Sequence, residues 1–129
     1  MITKISGGVT AAKGFFAACT AAGIKYKDRT DMAMVYSEAP CVTAGTYTKN
    51  VVKAAPVLWD RELTDGDKLV QAVVINAGIA NACTGEEGFG YCRQTSDAAK
   101  KALKLEGTEV LVASTGVIGK QLPIEKIVN

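Results

Sequence analysis

Leu69-Val70-Gln71-Ala72-Val73-Val74-Ile75 runs without a break into Asn76-Ala77-Gly78-Ile79-Ala80-Asn81-Ala82-Cys83-Thr84-Gly85, and the junction between the two decides the fold. The first stretch is rich in β-branched residues and nearly all apolar, the pattern of a central strand buried on both faces. The second is mostly Gly, Ala and Asn, which cannot continue as one regular helix or strand. Beyond it, Tyr91, Thr95, Ala98, Ala102 and Leu105 recur at spacings of three and four, predicting an amphipathic helix over 89–105 with Gly107 as its cap. Residues 110–113 read as another short buried strand. Strand, long helix and strand in this order predict a mixed α/β structure, a layered sandwich of mixed β-sheet and helices. The strand ending at Ile75 is expected to be central, with the long helix covering one sheet face.

Working outward, residues 2–5 read as a short strand and residues 15–20 as an apolar one, separated by Gly7, Gly8 and Gly14. Residues 32–36 and 42–48 read as further strands, connected at Pro40. Asn50 offers an N-cap side chain and Pro56 suits a first helical turn, so a helix is expected over 56–63, ended by Thr64-Asp65-Gly66-Asp67. Residues 123–128 begin a helix that the chain does not finish. The 129 residues read as one domain cut from a larger protein.

Composition narrows the function. Fifteen basic and thirteen acidic residues leave a net charge of +2, scattered except for Lys100, Lys101 and Lys104, which read as a solvated helix face. Nucleic acid is not an expected partner. No stretch approaches the ~20 apolar residues that span a bilayer, and no signal-peptide run opens the chain, so a cytoplasmic location is expected. Cys19, Cys41, Cys83 and Cys92 are irregularly spaced and the chain has no His, which argues against a common zinc set and leaves them as buried or incidental thiols. The lack of His also excludes Ser-His-Asp and Cys-His catalysis within this chain.

Three segments are placed to carry chemistry. Asn76 to Gly85 follows a buried strand and precedes a helix, where α/β proteins favour ligand sites, although its Asn side chains would equally satisfy a tight turn. Its N-A-G start is similar to the strand end of short-chain dehydrogenases, but no Gly-rich phosphate fingerprint opens the chain. The positions four after Tyr26, Tyr36, Tyr47 and Tyr91 are Thr30, Pro40, Val51 and Thr95, so the required Lys is missing. Ser114-Thr115-Gly116-Val117-Ile118-Gly119 follows the next strand, and its glycines permit a turn that aims donors at one oxygen. In Gly7-Gly8-Val9-Thr10-Ala11-Ala12-Lys13-Gly14-Phe15, Lys13 is the one candidate cation for a substrate carboxylate. For the last two, a plain surface or strand-to-helix turn is the competing reading.

Taken together, these segments resemble the bifunctional ornithine acetyltransferase and glutamate N-acetyltransferase family of arginine biosynthesis. The resemblance is carried by G-V-T-A-x-x-G-F at Gly8 to Phe15, A-G-I-K at Ala22 to Lys25 and T-x-N-x-V-x-A-A-P-V at Thr48 to Val57. It continues through N-A-C-T-G at Asn81 to Gly85, S-T-G-V-I-G at Ser114 to Gly119 and L-P-x-x-K-I at Leu122 to Ile127. It implies a precursor that cuts itself before a threonine, whose hydroxyl then carries acetyl from N-acetylornithine to glutamate. Thr115 and Gly116 are then the oxyanion hole, and the nucleophile lies on a β chain absent from this sequence, assembled as α2β2. No cofactor or metal is implied, and acetyl-CoA is left open as a co-substrate. Substrate-binding residues are not assigned within this chain, which alone is expected to be inactive. Ala77 and Ile79 depart from the family's N-S-G-x-A-N and N-S-G-N-A-N forms, removing any polar role at Ile79. A non-catalytic scaffold or ligand-binding subunit of the same fold is the alternative, distinguished by whether a companion polypeptide beginning with Thr accompanies the chain.

Overall fold

Four strands form one mixed sheet in the order of the sequence, and the computed structural model describes residues 2–129. Strand β1 (Phe15–Thr20) pairs antiparallel with β2 (Met32–Cys41), and β2 pairs antiparallel with β3 (Val70–Ile79). Strand β4 (Glu109–Val117) lies parallel to β3, from Val70 beside Glu109 to Ile79 beside Val117. A parallel neighbour requires a crossover, and helix α2 (Gly85–Leu103) supplies it. Helix α1 (Ala55–Asp65) precedes β3, and the short α3 (Glu125–Val128) follows β4. The α/β class and the central position of β3 agree with the sequence pattern.

The two faces of the sheet are unequal. Ala72, Val74 and Val110 point at Ala99 of α2 and are buried with it, flanked by Met34 and Tyr36 of β2. On the other face, the cross-strand rows Ala33, Ile75, Ala113 and Val35, Val73, Leu111 are apolar but only half-buried. The expectation that β3 is buried on both faces therefore holds for one of them. Its apolar character is continuous because both faces are built for contact, and this chain supplies cover for one.

Helix α1 lies against the outer edge of β4. Trp59 Nε1 donates to the Val110 carbonyl at 3.1 Å, and Asp60 Oδ1 accepts from the Val112 N–H at 2.9 Å. These side chains occupy the backbone groups that an edge strand otherwise leaves open to other chains. Trp59 also meets Phe89 of α2 edge-on, with centroids 5.8 Å apart, in a cluster with Ala55, Leu63, Cys92 and Val112.

Several boundaries differ from the expectation. Residues 2–5 and 42–48 form no strand: they are largely exposed and pair with none of the four strands, so alternation alone does not order them. Strand β2 continues through Pro40, which is tolerated because the ladder shifts register between Tyr36 and Cys41 and asks no N–H of it. Helix α1 starts at Ala55, one residue before the expected Pro56, but its N-cap is Ala54 and not Asn50, whose side chain accepts from the Val52 N–H in a local turn. Helix α2 begins at Gly85, four residues before the apolar periodicity, and it ends on Lys104 in the left-handed region (φ 54°) in place of Gly107. Leu105 lies beyond the helix but still packs on the core. The Lys cluster is also not wholly solvated, since Lys100 bridges Asp97 at 3.3 Å and Glu109 at 2.9 Å and so ties α2 to the start of β4.

Asp60 gives the edge contact a pH dependence. Burial pushes its carboxyl up to about 6, outweighing the Val112 N–H that favours the charged form. An ordinary Asp titrates near ~3.9, so between about pH 4 and 6 the folded chain holds a proton that the unfolded chain releases. Stability contributed at this position is therefore present at low pH and is lost as pH rises through that window. Asp60→Asn keeps the acceptor and removes the charge. Its stability advantage over the unsubstituted protein, measured by urea denaturation, is expected to grow from about pH 4 to about pH 6 and then level off. A difference that does not change with pH contradicts the assignment.

Candidate active site

Strands β3 and β4 end side by side, so the two Gly-rich segments that follow one another in sequence only after a long helix become neighbours. Asn76 stands opposite Ser114, Ala77 opposite Thr115 and Gly78 opposite Gly116. Gly78 has φ 106° and Gly116 has φ 136°, both in the region that L side chains avoid. A Cβ at Gly116 would overlap the Gly78 carbonyl group and the Ile79 nitrogen, so backbone meets backbone with no side chain between.

The segment after Gly78 is fixed by its own polar groups. Asn81 is fully buried; its Nδ2 donates to the Gly88 carbonyl at 2.8 Å and its Oδ1 accepts from Thr84 Oγ1 at 2.7 Å. Ala80 N–H donates to the Val117 carbonyl at 2.9 Å and Gly119 N–H to the Ala82 carbonyl at 2.8 Å, lacing this segment to the end of β4. The Asn side chains thus satisfy local backbone, as the plainer sequence reading supposed. Ser114 to Val117 form the end of β4 itself instead of a turn after it. Thr115, Gly116 and Val117 are exposed. Thr115 continues the open-face row of Leu111 and Ala113, while Val110 and Val112 turn their backbone groups to the outer edge, an alternation that puts the Gly116 N–H on that same edge.

Lys13 is not part of this arrangement. It is exposed and precedes β1 at the Phe15 end, which pairs with Ser37, whereas Thr20 and Met32 mark the site end. The corresponding end of β4 is Glu109, six residues or ~20 Å of strand from Thr115. The cation that does come close is Lys25, whose Cβ lies 2.9 Å from where a Gly78 Cβ would stand, with Nζ 4.7 Å over the Tyr26 ring. The sequence offered Lys25 only as part of the A-G-I-K element. The loop carrying it is held by Asp31, whose carboxylate accepts from the Ala22 N–H at 2.8 Å and the Ile24 N–H at 2.6 Å.

Of the four thiols, Cys92 is buried, and desolvation together with nearby Asp60 pushes it up to about 12, which makes it a poor nucleophile. Cys19 and Cys83 are exposed and Cys41 is half-buried. Cys83 borders a cleft of about 340 Å³ with Lys53, Leu58 and Phe89. The walls of that cleft include neither Thr115 nor Gly116. No group of His, Cys, Asp and Glu that could hold a metal is present among the described residues, and no helix among them is long and apolar enough to cross a membrane.

The geometry defines an α/β domain whose sheet carries a glycine-built, donor-bearing strand end. The sequence profile of the ArgJ family matches residues 16–129, and the chain belongs to that family. It is 51% identical over 123 residues to the arginine biosynthesis bifunctional protein ArgJ of Gloeobacter violaceus, covering 95% of this chain and 30% of that protein. The Mycobacterium tuberculosis protein of the same name is 48% identical over 126 residues, covering 93% of this chain and 31% of its own length. The chain thus spans about 30% of the length of the curated relatives it matches. The crystal structure of ArgJ from Bacillus halodurans superposes with a TM-score of 0.88 at 38% identity, over 95% of this chain and 64% of that one. That of ornithine acetyltransferase from M. tuberculosis, complexed with ornithine, gives 0.83 at 43% identity, over 94% and 65%.

Gly116→Ala is expected to destabilise the protein by at least about 2 kcal/mol, because a strained φ and a backbone overlap act together. Gly119 also has positive φ (76°), but a Cβ there meets nothing within 4 Å, so Gly119→Ala bears the conformational strain alone. Denaturation of both variants should rank Gly116→Ala as clearly the worse. Equal losses contradict the close backbone approach.

Proposed function

We propose that this chain is the oxyanion-hole part of an acetyltransferase that moves acetyl from N-acetylornithine to glutamate through a threonine ester. The nucleophilic threonine lies in the remainder of the protein, freed as the N-terminus of a β chain by self-cleavage, and the two chains assemble as α2β2. Membership of the ArgJ family supports the reaction class, and the ornithine bound to the tuberculosis relative supports an amino-acid substrate.

One observation carries the residue assignment: Thr115 and Gly116 are adjacent, exposed and set on a backbone locked by the Gly78 contact. When the threonine oxygen attacks the acetyl carbonyl, that carbonyl oxygen gains negative charge. The Thr115 hydroxyl and the Gly116 N–H donate to it, and donors fixed before the reaction need no reorganisation as charge develops. Collapse of the intermediate expels ornithine and leaves the acetyl ester. The glutamate amine then attacks the ester carbonyl, and a second oxyanion on the same donors collapses by breaking the bond to the threonine oxygen, which regains a proton as N-acetylglutamate leaves.

The half-buried rows Ala33, Ile75, Ala113 and Val35, Val73, Leu111 form an apolar face that leads directly to Thr115. The remainder of the protein packs on this face and thereby delivers its threonine to the donors. The scaffold alternative explains the apolar face equally well but gives no reason for two exposed donors at its end.

Thr115→Ala in the full-length enzyme is expected to lower kcat by about 10²–10³-fold, the usual loss for one oxyanion donor. KM should change much less, because the interaction strengthens mainly in the transition state. A gel for self-cleavage separates a catalytic defect from failed maturation. Near-normal turnover in a fully processed variant returns the segment to a structural role. The isolated chain, freed of any companion, is expected to transfer no acetyl group.

A further inference from the structure

Asn76 is a polar residue in the middle of an apolar strand, 3% exposed, on the helix-covered face of β3. Its amide makes two bonds that point to the same place. Oδ1 accepts from Ser114 Oγ at 2.5 Å, across to the residue just before Thr115. Nδ2 donates to the Ile79 carbonyl at 3.0 Å, closing the chain over Gly78. The orientation of the amide is dictated by its partners, since a carbonyl can only accept and must face the NH₂ group. Gly78 is in turn the backbone on which Gly116 rests.

We propose that Asn76 is a positioning residue for the oxyanion donors, holding Thr115 through Ser114 and Gly116 through the Gly78–Ile79 backbone. The inference rests on the acyl-transfer reading above. Asn76 touches neither substrate nor reacting atoms. A shorter side chain leaves Ser114 Oγ and the Ile79 carbonyl without their partner in a buried setting, and the strand ends then lose the one side chain that ties both to a common point. Asn76→Asp does not preserve the pair of bonds, because a carboxylate has no donor for the Ile79 carbonyl. The residue at this position is thus required to donate and to accept.

The test is steady-state kinetics on the full-length processed enzyme carrying Asn76→Ala, Ser114→Ala or Thr115→Ala, and on the Asn76→Ala/Thr115→Ala double variant. Asn76→Ala is expected to lower kcat by up to about 10²-fold, the scale of a misplaced catalytic group, with KM within about threefold. Ser114→Ala, which removes one arm only, should show the same pattern with a smaller fall. In the Thr115→Ala background, the additional loss from Asn76→Ala should be clearly smaller than in the unsubstituted enzyme, because one of the two donors it holds is already gone. A merely structural residue would lower the yield of folded enzyme and leave that coupling absent. If Asn76→Ala does not fold, Ser114→Ala and its double variant with Thr115→Ala decide the matter alone. Full additivity, or unchanged kcat in folded variants beside a damaged Thr115→Ala enzyme, overturns this inference by itself. An undamaged Thr115→Ala enzyme overturns the acyl-transfer reading instead.

Discussion

Where β3 and β4 end their parallel run, Gly78 and Gly116 lie backbone against backbone, and no residue with a Cβ fits at Gly116. Most of the fold is arranged about this pairing. The parallel order demands the α2 crossover, which covers one face of the sheet. The outer edge of β4 demands a cap, which Trp59 and Asp60 of α1 provide. Ile24, Leu122 and Ile127 close around Ile79 at the site end, and Lys126 Nζ donates to the Gly23 carbonyl at 2.6 Å. The close approach of two strand ends and the exposure of Thr115 are consequences of the same constraint.

The unequal faces of the sheet connect packing with function. Burying apolar area stabilises by roughly 25 cal/mol per Å², so rows such as Val35, Val73 and Leu111 left half-buried represent stabilisation that this chain does not realise by itself. Thr115 stands at the end of that face rather than under the helices. In the proposed enzyme, the contact that completes the core also brings the nucleophile to the donors, so folding of the remainder and assembly of the site become one event.

The main elements were legible in the sequence, β1 and β3 from apolar runs, α1 from Pro56 and the turn that ends it, and α2 from its apolar spacing, each within a few residues of where it lies. What failed were short alternating runs, such as 42–48, that met no neighbouring strand, and the helix end at Lys104, where tertiary packing admitted a non-glycine residue in the left-handed region. The candidate site was legible as two glycine-bearing strand ends. Its wiring was not, because Ser114 bonds Asn76 over 38 residues of sequence and Asp60 bonds Val112 over 52, distances on which local pattern is silent. Lys13 and Lys25 show the same limit, since both sit near glycines in the sequence and only the antiparallel pairing of β1 with β2 decides which end of the sheet each occupies.

The central claim is that Thr115 and Gly116 receive the oxygen of the reacting acetyl group. The most direct measurement is a crystal structure of the full-length processed enzyme trapped as its acetyl ester or with a tetrahedral mimic on the nucleophile. The account predicts the ester or oxyanion oxygen within about 2.7–3.1 Å of both Thr115 Oγ1 and the Gly116 nitrogen. An oxygen bound by other groups, with Thr115 and Gly116 facing solvent or the protein interior, contradicts it.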